Sequence, residues 1–64
     1  MKMNERLLQA RKDAKLTQEQ LAKMASISKT HYQYIEYGKV DPSVTVALKL
    51  AKALGKTVEL LFGA

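Results

Sequence analysis

The sequence predicts an all-α fold of five short helices, and three observations carry that reading. Apolar residues recur with a helical period in successive segments, each segment is bounded by Ser, Thr, Gly or Pro punctuation, and no stretch sustains a period-two alternation of β-branched residues. The first helix runs from about Asn4 to Lys15, with Leu7, Ala10, Arg11 and Ala14 on one stripe and Arg6, Gln9, Lys12 and Asp13 turned away. Thr17 to Gln20 reads as a capping box: the Thr17 hydroxyl takes the amide three residues on and Gln20 reaches back. It opens a second helix, about Gln18–Ala25, burying Leu21, Ala22 and Ala25. Ser28 caps a third helix that runs to about Tyr37 and is stopped by Gly38. Pro42 disfavours helix at Asp41, and Ser43 caps a fourth helix with Val44, Ala47, Leu48, Ala51 and Leu54 on one side, closed by Gly55. Thr57 caps a last short helix, Val58–Phe62.

The chain has 64 residues, enough for one small domain spanning 1–64 and too few for a second. Its 47% hydrophobic and 27% charged content is that of a chain that folds. Eleven Lys and Arg against six Asp and Glu give a net charge of +5, so an acidic partner is expected, nucleic acid or an anionic membrane first. The lysines are spread over several helices rather than along one amphipathic face, which counts against a peripheral membrane protein. The absence of Cys excludes disulfides and thiolate metal sites and fits a reducing compartment. Glu5 and Arg6 break the N-terminal segment before a secretory core develops, and the apolar run Val58–Phe62 is far short of the roughly 20 residues of a membrane span, so a cytoplasmic protein is expected. His31 is the only histidine, so neither a metal site nor a cofactor is expected. With no nucleophile–base pair and no glycine-rich phosphate loop, the chain does not read as an enzyme.

Two short helices joined by a tight turn form a rigid corner that can hold the second helix outward into a major groove. In the span Gln18–Tyr37 the positions that pack such a corner are Leu21, Ala22, Ala25, Ile27, Tyr32 and Ile35, with Ala22 small enough to let the helices cross closely. The segments LTQEQLAKMASIS, IEYGKVDPS and ALKLAKALGKTVELLF resemble the phage-repressor and Cro-like helix-turn-helix family of small regulators over nearly the whole chain, Leu7 to Phe62. The resemblance implies a compact five-helix bundle, a sequence-specific double-stranded DNA-binding regulator, most simply a repressor, and a homodimer on a pseudo-palindromic operator.

It also implies roles for residues. Gln18 matches a glutamine that binds a phosphate and braces the recognition helix, and Lys29 and Thr30 match its first exposed reading positions. By chemistry Lys29 donates to guanine O6 and N7 or to phosphate, and Thr30 offers a hydroxyl or touches a thymine methyl. Gln33 and Tyr34 lie one turn on; glutamine suits adenine, and the tyrosine either reaches the groove, stacks on the backbone or joins the core. His31 touches a phosphate or faces water, and Lys39 matches a loop position that contacts phosphate.

Arg11 and Glu36 each interrupt an apolar stripe, which burial makes costly unless they pair, and the family has a partly buried arginine–glutamate pair at these positions. Three features depart from the pattern: Ser26 where the turn has glycine, Tyr32 for Ile or Val, and an altered C-terminal face at Lys56 and Leu60. Val58, Leu60, Leu61 and Phe62 cannot all face one small core, so they are expected at a dimer interface or in end-of-chain packing. The competing reading is a protein-interaction module, antitoxin-like or adaptor-like, whose corner chiefly grips a protein; a regulatory protein partner is compatible with both.

Overall fold

The structure, a computed structural model, describes residues 3–63. Among them the chain forms α1 (Glu5–Asp13), α2 (Gln18–Met24), α3 (Lys29–Glu36), α4 (Val44–Leu54) and α5 (Val58–Phe62). Every helix opens on a side-chain cap. Asn4, Thr17, Ser28, Ser43 and Thr57 each accept a backbone N–H from three residues on, and at Thr17 the Gln20 side chain completes a capping box. The first three helices end one or two residues earlier than their apolar patterns suggest, because α1 to α4 all close on a left-handed residue.

Lys15, Ser26, Gly38 and Gly55 have φ of 58°, 59°, 77° and 66°. At each, that residue's N–H bonds back three residues and the following N–H bonds back five, as in Ser26 to Lys23 at 3.1 Å and Ile27 to Ala22 at 3.0 Å. Gly38 and Gly55 accept this backbone without a Cβ penalty, whereas Lys15 and Ser26 hold it under strain. The α2–α3 turn therefore keeps the left-handed geometry although its residue is a serine.

α2 packs on α3 and α4, α1 packs on α3 and α5, and α4 packs on α5. Their shared interior holds Leu7, Leu21, Ala22, Ala25, Tyr32, Ile35, Leu50, Ala51, Leu54 and Leu61. Three expectations need correction. Ala14 caps α1 in solvent, because the helix ends there. On α4, Val44 and Leu48 lie outside at 78% and 57% exposure, while Leu50 is fully buried. The inward face is Ala47, Leu50, Ala51 and Leu54, rotated from the stripe that the pattern suggests. Of the C-terminal apolar residues, Leu61 is 1% exposed and belongs to the core; Val58 and Phe62 pack against it partly buried, and Leu60 points out. A helix of five residues can bury only one face, and α5 turns that face to α1 and α4.

Asn4 ties the two ends of the fold together. Its Oδ1 accepts from Leu7 N–H, its Nδ2 donates to the Leu61 carbonyl at 3.0 Å, and its backbone N–H donates to the Glu36 carbonyl at 2.8 Å.

Ser26→Gly should stabilise the protein by about 0.5–1 kcal/mol, since relief of the left-handed strain outweighs the added freedom of glycine in the unfolded chain. The measurement is the urea midpoint at constant slope; an unchanged or lower midpoint would show that Ser26 is not strained.

Candidate nucleic-acid interface

The corner between α2 and α3 is closed underneath by apolar residues and along one edge by a polar network. Leu21, Ala22, Ala25, Tyr32 and Ile35 are buried between the helices, with Ile27 partly so. The network centres on Glu36, which is 1% exposed. Its Oε1 accepts from Arg11 Nε and from the Tyr32 hydroxyl, both at 2.8 Å, and its Oε2 accepts from Gln18 Nε2 at 2.6 Å. Arg11 also donates to the Leu16 carbonyl at 2.8 Å. Among the described residues no buried side-chain nitrogen or oxygen is left without a partner.

Burial pushes the Glu36 carboxyl up, but the bonds from Arg11, Tyr32 and Gln18 and the guanidinium charge outweigh it and hold the group below its ordinary value. The bond to Glu36 is the main reason that the Arg11 guanidinium is held above its own ordinary value. Burial, reinforced by the Glu36 carboxylate, drives the Tyr32 phenol up, so it stays a hydrogen-bond donor. Tyr32 thus spends its length beyond an aliphatic residue on reaching the carboxylate one turn along its own helix, a spacing of four that the sequence displays.

The outer face of α3 is free of carboxylates in its first turn. Lys29, Thr30 and His31 are exposed, and helical spacing puts Thr30 and Tyr34 one turn apart at its centre. Tyr34 stands out at 44% exposure, and Lys39 Nζ sits 5.3 Å from its ring centroid, a cation–π contact just past the helix end. Gln33 is half-buried on the flank next to α2, where its Nε2 donates to Gln18 Oε1 at 3.0 Å. Gln18 is half-buried and turned inward, its Nε2 also 3.4 Å from the Tyr37 hydroxyl. The structure therefore groups Lys29, Thr30, Tyr34 and Lys39 on one accessible face, with His31 at its side. Gln18 is bonded to Glu36 instead, and Gln33 to Gln18. Neither the Gln18–Gln33 bond nor the turning of Gln18 away from solvent was legible from the residue pattern. Val44, Leu48, Val58 and Phe62 line a groove between α4 and α5 with Asn4, Asp41, Pro42 and Ala47, whereas Leu60 lies apart from it, beside Arg6, Gln9, Ala10, Asp13 and Lys56.

Among the described residues no group of three or more His, Asp or Glu lies close enough to hold a metal ion, and no helix is long and apolar enough to cross a membrane.

Comparison with known proteins gives a consistent answer. A family model described as helix-turn-helix matches residues 7–61. An uncharacterized HTH-type transcriptional regulator of Methanocaldococcus jannaschii is 47% identical over 47 residues, 73% of this chain and 71% of that protein. The immunity repressor protein of Bacillus phage phi105 is 36% identical over 63 residues, 98% of this chain but 44% of the repressor. The P22 c2 repressor, in its crystal structure with a synthetic operator, superposes with a TM-score of 0.87 at 32% identity, covering 100% of this chain and 98% of that one.

Arg11→Ala strands the buried Glu36 anion and should cost about 3–5 kcal/mol. Lys12→Ala, on the exposed side of α1, serves as the control in thermal melts, and equal shifts would deny the pair any structural role. Because the Glu36 carboxyl is lowered in the folded protein, its contribution is complete above the ordinary carboxylate range and is lost as pH falls through the lowered value. The stability gap between the protein and Glu36→Gln should accordingly narrow on acidification, read as urea midpoints from neutral pH downward; a gap that is independent of pH would contradict the assignment.

Proposed function

The chain belongs to the helix-turn-helix family and is a DNA-binding transcriptional regulator, not an enzyme; from that premise we propose that it is a repressor that reads a pseudo-palindromic operator as a homodimer, through α3 in the major groove. One observation carries this reading. The exposed face of α3 offers Lys29, Thr30 and Tyr34 without an acidic residue in its first turn, on a helix that the Arg11–Glu36 ion pair and the bond from Gln18 to Glu36 hold in place. A rigid helix bearing donors and a cation outward is suited to base edges lined by acceptors.

In this reading Lys29, Thr30, Gln33 and Tyr34 meet base edges, and His31 and Lys39 meet phosphates on either side. The cation–π contact with Tyr34 keeps Lys39 beside the reading face rather than swinging free. A single short helix reads few base pairs, so useful specificity calls for two half-sites about one helical turn apart. The second copy is best received by the exposed apolar area of α4 and α5, where Val44 and Leu48 stand out and Val58 and Phe62 are partly accessible; Leu60, although exposed, lies apart from it beside α1. Leu61 takes no part in that surface, being spent on the core. Occupation of a promoter by such a dimer would repress by excluding polymerase, with no further chemistry required.

The test is selection of bound duplexes from a random library at moderate salt. The expected result is a two-fold-symmetric site, with discrimination falling by about 1–3 kcal/mol per lost base contact in Lys29→Ala and Thr30→Ala and a uniform loss over all sequences in Lys39→Ala. Binding to the selected duplex should weaken steeply with salt. A folded protein that enriches no site, with little salt dependence in whatever it binds, would transfer the assignment to a protein-interaction module.

A further inference from the structure

Met24 ends α2 with 51% of its surface exposed. It stands between two open hollows and forms a wall of both. One is lined also by Leu16, Gln20 and Lys23, the other by Ser26, Lys49, Lys52 and Ala53, so together they lie across the seam where α2 packs on α4. Neither takes a residue from α3 or from the groove between α4 and α5.

A single exposed methionine is ordinary, but the charge around this one is of one sign. Lys23, Lys49 and Lys52 border the hollows and no Asp or Glu does, whereas Asp41 lines the groove between α4 and α5 and Asp13 the hollow beside Leu60. Glu19 precedes Lys23 by one turn, the spacing at which a helical ion pair forms, yet among the described residues the one ion pair is Arg11–Glu36. Three exposed cations thus surround an apolar centre with no carboxylate of the described residues paired to them.

We infer that this face of α2 and α4 docks an acidic amphipathic segment of another protein. Two apolar side chains of that segment enter the hollows on either side of Met24, and its carboxylates meet Lys23, Lys49 and Lys52. The unbranched thioether of Met24 adjusts to whatever side chains arrive beside it. Charge and shape together separate this occupant from others. A second copy docked two-fold through the same patch sets lysine against lysine. Duplex phosphates satisfy the lysines but gain nothing from Leu16, Met24 and Ala53. A lipid surface calls for more inserted apolar area than one methionine supplies. The face gives the regulator a way to hold a partner without using α3.

Panning a random library of displayed peptides against the intact protein tests this. The expected winners combine Asp or Glu with Leu or Phe. The most enriched peptide, synthesised and titrated into the unmodified protein, should move the backbone amide NMR signals of Lys23, Met24, Ser26, Lys49, Lys52 and Ala53 and leave those of Val44 and Leu48 in place. Met24→Ser should weaken its binding by about tenfold or more, as loss of a central apolar anchor does. Lys49→Glu should weaken it well beyond Lys12→Glu, which makes the same change of net charge on the exposed side of α1. The mapping uses the unmodified protein, so it decides the question even if a variant fails to fold.

Enrichment of no acidic peptide, or shifts centred on the groove between α4 and α5, would overturn the inference. Sedimentation of the protein, but not of Met24→Ser, with phosphatidylserine vesicles would hand the face to lipid. A salt slope for duplex binding that falls by about one in Lys49→Ala would hand it to phosphate. Duplex selection is a separate readout, so failure of the operator reading and failure of this docking face are distinguishable.

Discussion

A carboxylate that is 1% exposed has to be neutralised where it lies, and the geometry of this protein follows from how Glu36 achieves that. Its donors come from three helices: Arg11 on α1, Gln18 at the start of α2 and Tyr32 on α3 itself. Its own backbone carbonyl accepts from Asn4, at the entrance to α1. Moving any one of these helices by an ångström would leave an anion partly unsatisfied in a low-dielectric interior, at a cost far above that of a small apolar misfit. Apolar burial supplies the drive to collapse, but it is tolerant of small shifts. The carboxylate is not, and it therefore selects one crossing of α2 and α3 among those that the apolar residues allow.

The helices themselves were legible because their signals are local. Thr17, Ser28, Ser43 and Thr57 cap the helices that they begin, and Arg11 and Glu36 stood out as charges on apolar stripes. What escaped depends on neighbours remote in sequence. Nothing near Val44 and Leu48 tells that α4 turns them to solvent and buries Leu50, because that rotation is set by α2 and α5. Leu60 and Leu61 are adjacent and chemically identical, and only the docking of α5 on α1 decides which one is inside. Lys15 took a backbone that composition does not advertise, since a helix stop can be imposed by its hydrogen bonds as well as by a glycine.

For the candidate interface the division is similar. Lys29 and Thr30 could be placed outside by spacing and Lys39 by its place just past the helix, whereas spacing alone left Tyr34 open between surface and core. The pairing of Gln18 with Gln33 could not be placed, for it spans 15 positions and depends on the orientation that Glu36 imposes on an amide. The exposed face of α3 and the buried network are thus less separate than exposure alone suggests. A polar bond at the edge of the core changes what the surface has left to offer.

The matching stops of α1 to α4 bear on the order of events in folding. Each is closed by bonds that reach back three and five residues, so the stop of every one of these helices is encoded within its own segment of the chain. With short connections between them, the search that remains is mostly one of docking, the regime in which small helical proteins fold fast. Three links tie α1 and its cap to distant parts of the chain: the Arg11–Glu36 pair, 25 residues apart, the Asn4 N–H to the Glu36 carbonyl, and the Asn4 to Leu61 bond, which spans 57. Stripping water from Glu36 before its donors have arrived is costly, and all three links wait on the docking of α1. The network beneath the candidate interface is therefore complete only once α1, which supplies none of the exposed residues of α3, has docked.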